Sequence, residues 1–162
     1  MRRLPRILLL AAVCFLAAIA QDKDYTGPRP PKPDIPYLVH ADNLVQTEVA
    51  EAKEDQRKNE SLYTIAGAAS PARTPVAEPI FLFQSDKITP ESLELYRLEV
   101  KNGNREVLIS QGKHGSRPLR LTVTPLGGKL YRIEVDEGLG LPDGQYALSP
   151  GGSNQVFCFE EY

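Results

Sequence analysis

The stretch Leu119-Arg120-Leu121-Thr122-Val123-Thr124-Pro125-Leu126-Gly127-Gly128-Lys129-Leu130-Tyr131-Arg132-Ile133-Glu134-Val135 decides the fold. Leu119, Leu121 and Val123 alternate with Arg120, Thr122 and Thr124; Tyr131, Ile133 and Val135 then alternate with Arg132 and Glu134. A period of two belongs to a β-strand, whose successive side chains point to opposite faces. Pro125 to Gly128 supply turn chemistry, so a hairpin is predicted with one apolar face on a core and one wet face.

The same chemistry recurs on either side. Ile80-Phe81-Leu82-Phe83 is apolar on both faces and reads as a buried strand. Thr89-Pro90-Glu91 offers a capping hydroxyl and a proline at a first helical position, but the run that follows has strand character, which limits any helix to one turn. Asn102-Gly103-Asn104 tolerates positive φ and is expected to fold residues 95–100 back on 105–110. A last hairpin joins 145–149 to 155–160 through Pro150-Gly151-Gly152-Ser153-Asn154. About seven strands therefore lie within 80–162. An open sheet would leave its apolar face in water, so the fold class is all-β, a small antiparallel β-sandwich.

Before residue 80 the composition changes three times. Arg2, Arg3 and Arg6 precede an apolar run from Ile7 to Ile19, and Ala18-Ile19-Ala20 places small residues where a signal peptidase reads them. Residues 1–20 are expected to be a signal peptide cut after Ala20, leaving a secreted or periplasmic chain that is not an integral membrane protein. The apolar run falls short of the roughly 20 residues a bilayer crossing needs. Cys14 follows Val13 rather than the small residue of a lipid-anchor site. Residues 21–41 are a Pro-rich extended arm, in which five of the nine residues from Pro28 to Pro36 are proline. Proline fixes φ and removes a donor, so this arm reads as polyproline II, a spacer or a docking peptide.

Residues 42–65 are expected to hold a helix over 42–58 and then a strand. Asp42 or Asn43 caps the helix, Glu48, Glu51 and Glu54 occupy its first part, and Arg57 and Lys58 end it, as the helix dipole favours. The rival is an extended hairpin ending in Leu62-Tyr63-Thr64-Ile65. Residues 66–79, with Pro71, Pro75 and Pro79 among small residues, read as a linker, and the β-sandwich domain follows at 80–162.

Leu141-Pro142-Asp143-Gly144-Gln145-Tyr146-Ala147-Leu148 resembles the Pro/Gly turn and Tyr-bearing strand near the end of secreted immunoglobulin-like and transthyretin-like β-sandwich domains. The tail through Phe159 resembles exported bacterial proteins with no assigned activity. The resemblance implies a sandwich fold and an extracytoplasmic setting, and it carries over no catalytic or binding positions. A second internal likeness joins Leu95-Tyr96-Arg97-Leu98-Glu99-Val100 to Leu130-Tyr131-Arg132-Ile133-Glu134-Val135, which agree at five of six positions. It is either a duplicated hairpin or one solution reached twice for an alternating strand with an Arg/Glu pair.

Charge and cysteine content exclude several function classes. The chain has 19 basic and 21 acidic side chains, and loss of Arg2, Arg3 and Arg6 with the signal leaves 16 against 21, a net charge of −5. Phosphate neutralisation needs a basic surface, so nucleic acid is not expected as a partner. Cys158 would then be the sole cysteine, which rules out an internal disulfide; its apolar neighbours Val156, Phe157 and Phe159 point to a buried, inert thiol.

His40 and His114 have no second His, Cys or carboxylate at ligand spacing, so no metal and no cofactor is expected. The adjacent carboxylates Asp136-Glu137 and Glu160-Glu161 would point to opposite faces of a strand. Lys113, His114, Arg117 and Arg120 gather four cationic side chains without an acid in a glycine-bearing loop, and form the one candidate ligand site, for an anion. The function expected is that of a non-catalytic exported β module, not an enzyme, that binds an envelope protein or a surface polymer. The alternative is a hydrolase with a dispersed site. The absence of Trp weakens a carbohydrate-binding reading.

Overall fold

The computed structural model describes residues 25–112, 114–136, 138 and 140–162. Its strands are β1 (Pro36–His40), β2 (Asn43–Gln46), β3 (Glu48–Glu51), β4 (Lys53–Arg57), β5 (Glu60–Ala66), β6 (Arg73–Thr74), β7 (Ile80–Gln84), β8 (Leu93–Lys101), β9 (Asn104–Ser110), β10 (Leu121–Gly127), β11 (Leu130–Val135), β12 (Gly144–Pro150) and β13 (Gln155–Glu161). The only helical element among the described residues is a 3-10 turn at Pro90–Ser92, the single turn that Thr89-Pro90 allows. No helix of the described residues is long and apolar enough to cross a membrane.

The chain is all-β and sandwich-like. A five-stranded sheet runs β10-β11-β7-β1-β2, and a larger one runs β3-β13-β12-β8-β9-β5-β4, with β6 beside β13. From Ile80 onward there are seven strands, β7 to β13, at the places the alternation marks. Asn102 and Gly103 have φ of 51° and 76°, as the predicted tight turn between β8 and β9 requires.

The two sheets meet over one apolar layer. Leu38, Phe81, Phe83 and Ile133 of the smaller sheet face Leu95, Tyr146, Leu148, Phe157 and Phe159 of the larger one. Phe81 packs edge-on to Phe159 at 5.2 Å, and Tyr146 stacks on Phe159 at 5.5 Å. Such ring pairs add about 0.5–1.5 kcal/mol each beyond the area they bury. The Tyr146 hydroxyl donates to Pro142 O at 2.5 Å, tying the preceding turn to its own strand.

The larger sheet is apolar on its second face too, where Ala52, Ile65, Tyr96, Leu98, Val107, Ala147, Val156 and Cys158 form a separate cluster. That is explained by the strand order. It begins at β3 and ends at β4, and these are consecutive pieces of one strand divided at Ala52. The sheet therefore curls until its two ends meet, encloses its second face and removes its open edges. The Ala52 N–H donates to Asn154 O at 2.8 Å at the junction.

Three expectations for the first half of the chain are corrected here. Residues 42–58 are not a helix: β2, β3 and β4 run through them, and the extended rival reading is the one observed. The strand crosses from one sheet to the other at Thr47, which is buried and donates both its N–H (3.2 Å) and its Oγ1 (2.8 Å) to Pro36 O. The last residues of the Pro-rich arm, 36–40, are β1, paired on both sides, with Tyr37 and Leu38 buried. The 66–79 segment does not separate domains, since strands on either side of it share both sheets; it contributes β6, and Ser70, Ala72 and Thr74 are buried.

The two copies of the internal likeness occupy unlike places. β8 lies between β12 and β9 in the larger sheet, whereas β11 lies between β10 and β7 in the smaller. β8 and β9 form a hairpin, but β11 and β12 belong to different sheets, so no hairpin is repeated.

Candidate functional site

The β8–β9 hairpin is zipped only near its turn. Lys101, Val100 and Glu99 pair with Asn104, Arg105 and Glu106, and there the pairing stops. β8 continues instead along β12, from Leu98 to Leu93, while β9 continues along β5 up to Ser110. The connection after β9 lies across the split. The Ser116 N–H donates to Leu108 O (2.7 Å), and the Leu119 N–H donates to Leu95 O (2.8 Å). Gly115 meets Ser110 so closely that a Cβ on it would lie 2.3 Å from the Ser110 backbone nitrogen.

Inside the curled sheet, beneath the split, is a cavity of about 360 Å³. Ala52, Ile65, Leu98, Val107, Ile109, Ala147 and Val156 supply its apolar wall, and the turn Pro150-Gly151-Gly152-Ser153-Asn154 bounds one side. That turn is pinned: the Gly151 N–H donates to Ser92 O at 2.8 Å, the Ser153 N–H to Pro150 O at 3.0 Å, and Asn154 O accepts from Ala52. The Ser149 hydroxyl lies within 3.3–3.4 Å of the carbonyls of Pro150, Ser153 and Gln155.

Two tyrosine–glutamate pairs are the polar part of the lining. Glu94 and Tyr96 lie two residues apart on one face of β8, and the Tyr96 hydroxyl donates to Glu94 Oε2 at 2.8 Å. Glu54 of β4 sits directly opposite Tyr63 of β5 in the register. Its Oε1 accepts from the Tyr63 hydroxyl (3.1 Å) and the Ser61 hydroxyl (2.8 Å). Burial, then the hydrogen bond to Glu94 and its charge, pushes the Tyr96 phenol well above the ordinary value. Burial and Glu54 raise Tyr63 in the same way. Both phenols are thus protonated donors at neutral pH, and both carboxylates are acceptors. No Lys, Arg or His is among the described residues that line the cavity.

The enclosed face ends in a buried ion pair. Arg105 is 1% exposed and gives Nη1 to Glu48 Oε2 (2.6 Å) and Nη2 to Glu48 Oε1 (3.0 Å). It also gives Nη2 to Ala66 O (2.8 Å) and Nε to Gly67 O (2.9 Å). Burial by itself would raise the Glu48 carboxyl, but hydrogen bonds from Arg105 and Ser70, with the arginine charge, hold it below its ordinary value. Cys158 is free and fully buried, and burial pushes its thiol up to about 12 in spite of Arg105. A thiol in that state is neither nucleophile nor ligand.

Of the candidate residues in the cationic loop, Lys113 lies outside the described residues. His114 and Arg117 are exposed on the connection that fills the split. Arg120 lines a shallow groove with Glu91 and Glu94, so two carboxylates adjoin it. Among the described residues no group of three or more His, Cys, Asp or Glu is placed to hold a metal ion. The glutamate–tyrosine cavity escaped the sequence reading. Its one local signal is the Glu94-Leu95-Tyr96 spacing, which puts an acid and a phenol on one strand face.

Against known proteins, the chain matches no family model, no curated protein and no solved structure.

Proposed function

We propose that the chain is a non-catalytic exported β module that works by binding, and that it holds a small, largely apolar group in the cavity of the curled sheet. That group would be presented by an envelope partner. The cavity carries the reading. At about 360 Å³ it falls in the range of ligand sites rather than packing voids, and its wall is mostly apolar. Apolar cavities of less than half that size, roughly 150 Å³, take up benzene. Its walls are strands and its turn is pinned by backbone bonds, so little ordering free energy is lost on binding.

The lining favours binding over turnover. Its phenols are raised away from neutral pH, and the Ser149 hydroxyl is directed to backbone carbonyls rather than to a base. Export is supported by the Arg-led apolar start and the Ala18-Ile19-Ala20 site.

The test is ligand-observed NMR of the purified protein with 2-phenylethanol, a neutral probe of suitable size. Binding is expected, and it should be lost in Ile109→Trp, which places an indole in the cavity from a half-buried wall position. No binding at millimolar probe, or binding undiminished in a folded Ile109→Trp protein, overturns the reading.

A further inference from the structure

We infer that the group held in the cavity is an ammonium on an apolar body, such as an arylalkyl or alkyl primary amine, with its charge between Glu54 and Glu94. This deepens the binding reading above and rests on it. Each polar side chain in the lining has its hydrogen already committed. Tyr63 and Ser61 donate to Glu54 Oε1, Tyr96 donates to Glu94 Oε2, and Ser149 is directed to main-chain oxygens. What the side chains still offer a guest is acceptors: the remaining carboxylate oxygens and the phenol lone pairs. A guest that brings donors is therefore accommodated, and one that brings only acceptors is not.

Charge selects further. Two carboxylates line the cavity, and no described Lys, Arg or His lines it with them, so an anion is repelled and a cation attracted. The rings of Tyr63 and Tyr96 add faces on which a cation is favoured over a neutral group. The apolar wall of Ala52, Ile65, Leu98, Val107, Ala147 and Val156 then fixes the rest of the guest as hydrocarbon rather than sugar or hydrated metal ion.

The test compares three probes of one size in calorimetry or ligand-observed NMR at pH 7: 2-phenylethylamine, 2-phenylethanol and 3-phenylpropanoate. The amine is expected to bind about tenfold more tightly than the alcohol, and the acid not at all. Glu54→Gln and Glu94→Gln should each weaken the amine by about threefold while leaving the alcohol unchanged, because both carboxylates are partly in water. The alcohol thus reports that each variant is folded with its cavity intact, and a variant that fails this control is replaced by raised salt, which should weaken the amine alone. If amine and alcohol bind alike, or the variants and salt leave the amine untouched, the ammonium assignment falls while the cavity stands. If none of the three probes binds, both fall.

Discussion

Breaking the Arg105–Glu48 pair tests whether the curled sheet closes as described. Arg105 is 1% exposed and its guanidinium reaches four acceptor contacts, two on Glu48 and one each on Ala66 O and Gly67 O. Glu48→Ala leaves a buried charge with only the two carbonyls, a change that typically costs about 3–5 kcal/mol. Arg105→Met frees two carbonyls and a carboxylate; because the Glu48 side chain is 22% exposed and water relieves part of the loss, about 2–4 kcal/mol is expected. Each is a large share of the roughly 5–15 kcal/mol that holds a domain folded.

The two changes share one interaction, so the double variant should fall short of their sum by about 2 kcal/mol in urea unfolding at pH 7. The pH dependence has a fixed sign. Glu48 is held low in the folded state, so its contribution is complete above the unfolded carboxylate value and is lost as pH falls through the folded one. Arg105→Met should therefore flatten the acid limb of the stability curve. Losses that add to within about 0.5 kcal/mol would refute a shared buried pair, and with it the closure of β3 and β9 on one interior.

Three further outcomes follow from the same structure. Asp34 has φ of 58°, and its carboxylate accepts from the backbone N–H groups of Asp86 (2.9 Å), Lys87 (3.0 Å) and Ile88 (3.0 Å). Asp34→Ala should lower stability by about 2 kcal/mol and Asp34→Asn, which keeps one acceptor, by less, as read by thermal melting. Cys158 should resist a thiol reagent at pH 8 in the native protein and react fully in denaturant, since burial pushes its thiol up to about 12. Gly115→Ala should lower the melting temperature and weaken probe binding, because its Cβ would meet Ser110 N at 2.3 Å and displace the connection that fills the hairpin split.

The strands after residue 80 were legible because each carries its own alternation and its own turn, and local chemistry suffices for both. The strand through residues 43–57 was not, because of what its inner face holds. Glu48, Ala50, Ala52 and Glu54 point into the curled sheet: two alanines where the enclosed space is narrow, a carboxylate for Arg105 at one end and one for Tyr63 at the other. Read linearly, Ala and Glu at this density favour a helix. Period-two logic fails where the inward residues are small or charged. Residues 66–79 misled for a related reason: Ser70, Ala72 and Thr74 are small because that segment lies against β13, with the Glu160 N–H donating to Ala72 O and the Ser70 hydroxyl to Cys158 O. Half of the cavity's polar lining depends on the Glu54–Tyr63 register, which a helical reading of 42–58 conceals.

The cavity is a consequence of the pairing rather than a lapse in packing. Were the β8–β9 hairpin to continue zipping in its register, Leu98 would come opposite Val107 and Tyr96 opposite Ile109, and these four side chains would fill the space they now surround. β12 prevents this by holding β8 from Leu93 to Leu98, on the layer that faces the smaller sheet. The split would leave the carbonyls of Leu108 and Leu95 unpaired, and unpaired buried backbone groups are costly enough to pull a hairpin shut. The connection after β9 removes that pull, because Ser116 and Leu119 supply the missing donors and Gly115 lets the chain approach closely enough to do so. The cationic loop that stands out in the sequence thus has a structural task beside any ligand it meets: its backbone keeps the hairpin open, and the open hairpin gives the curled sheet an interior that a guest can enter.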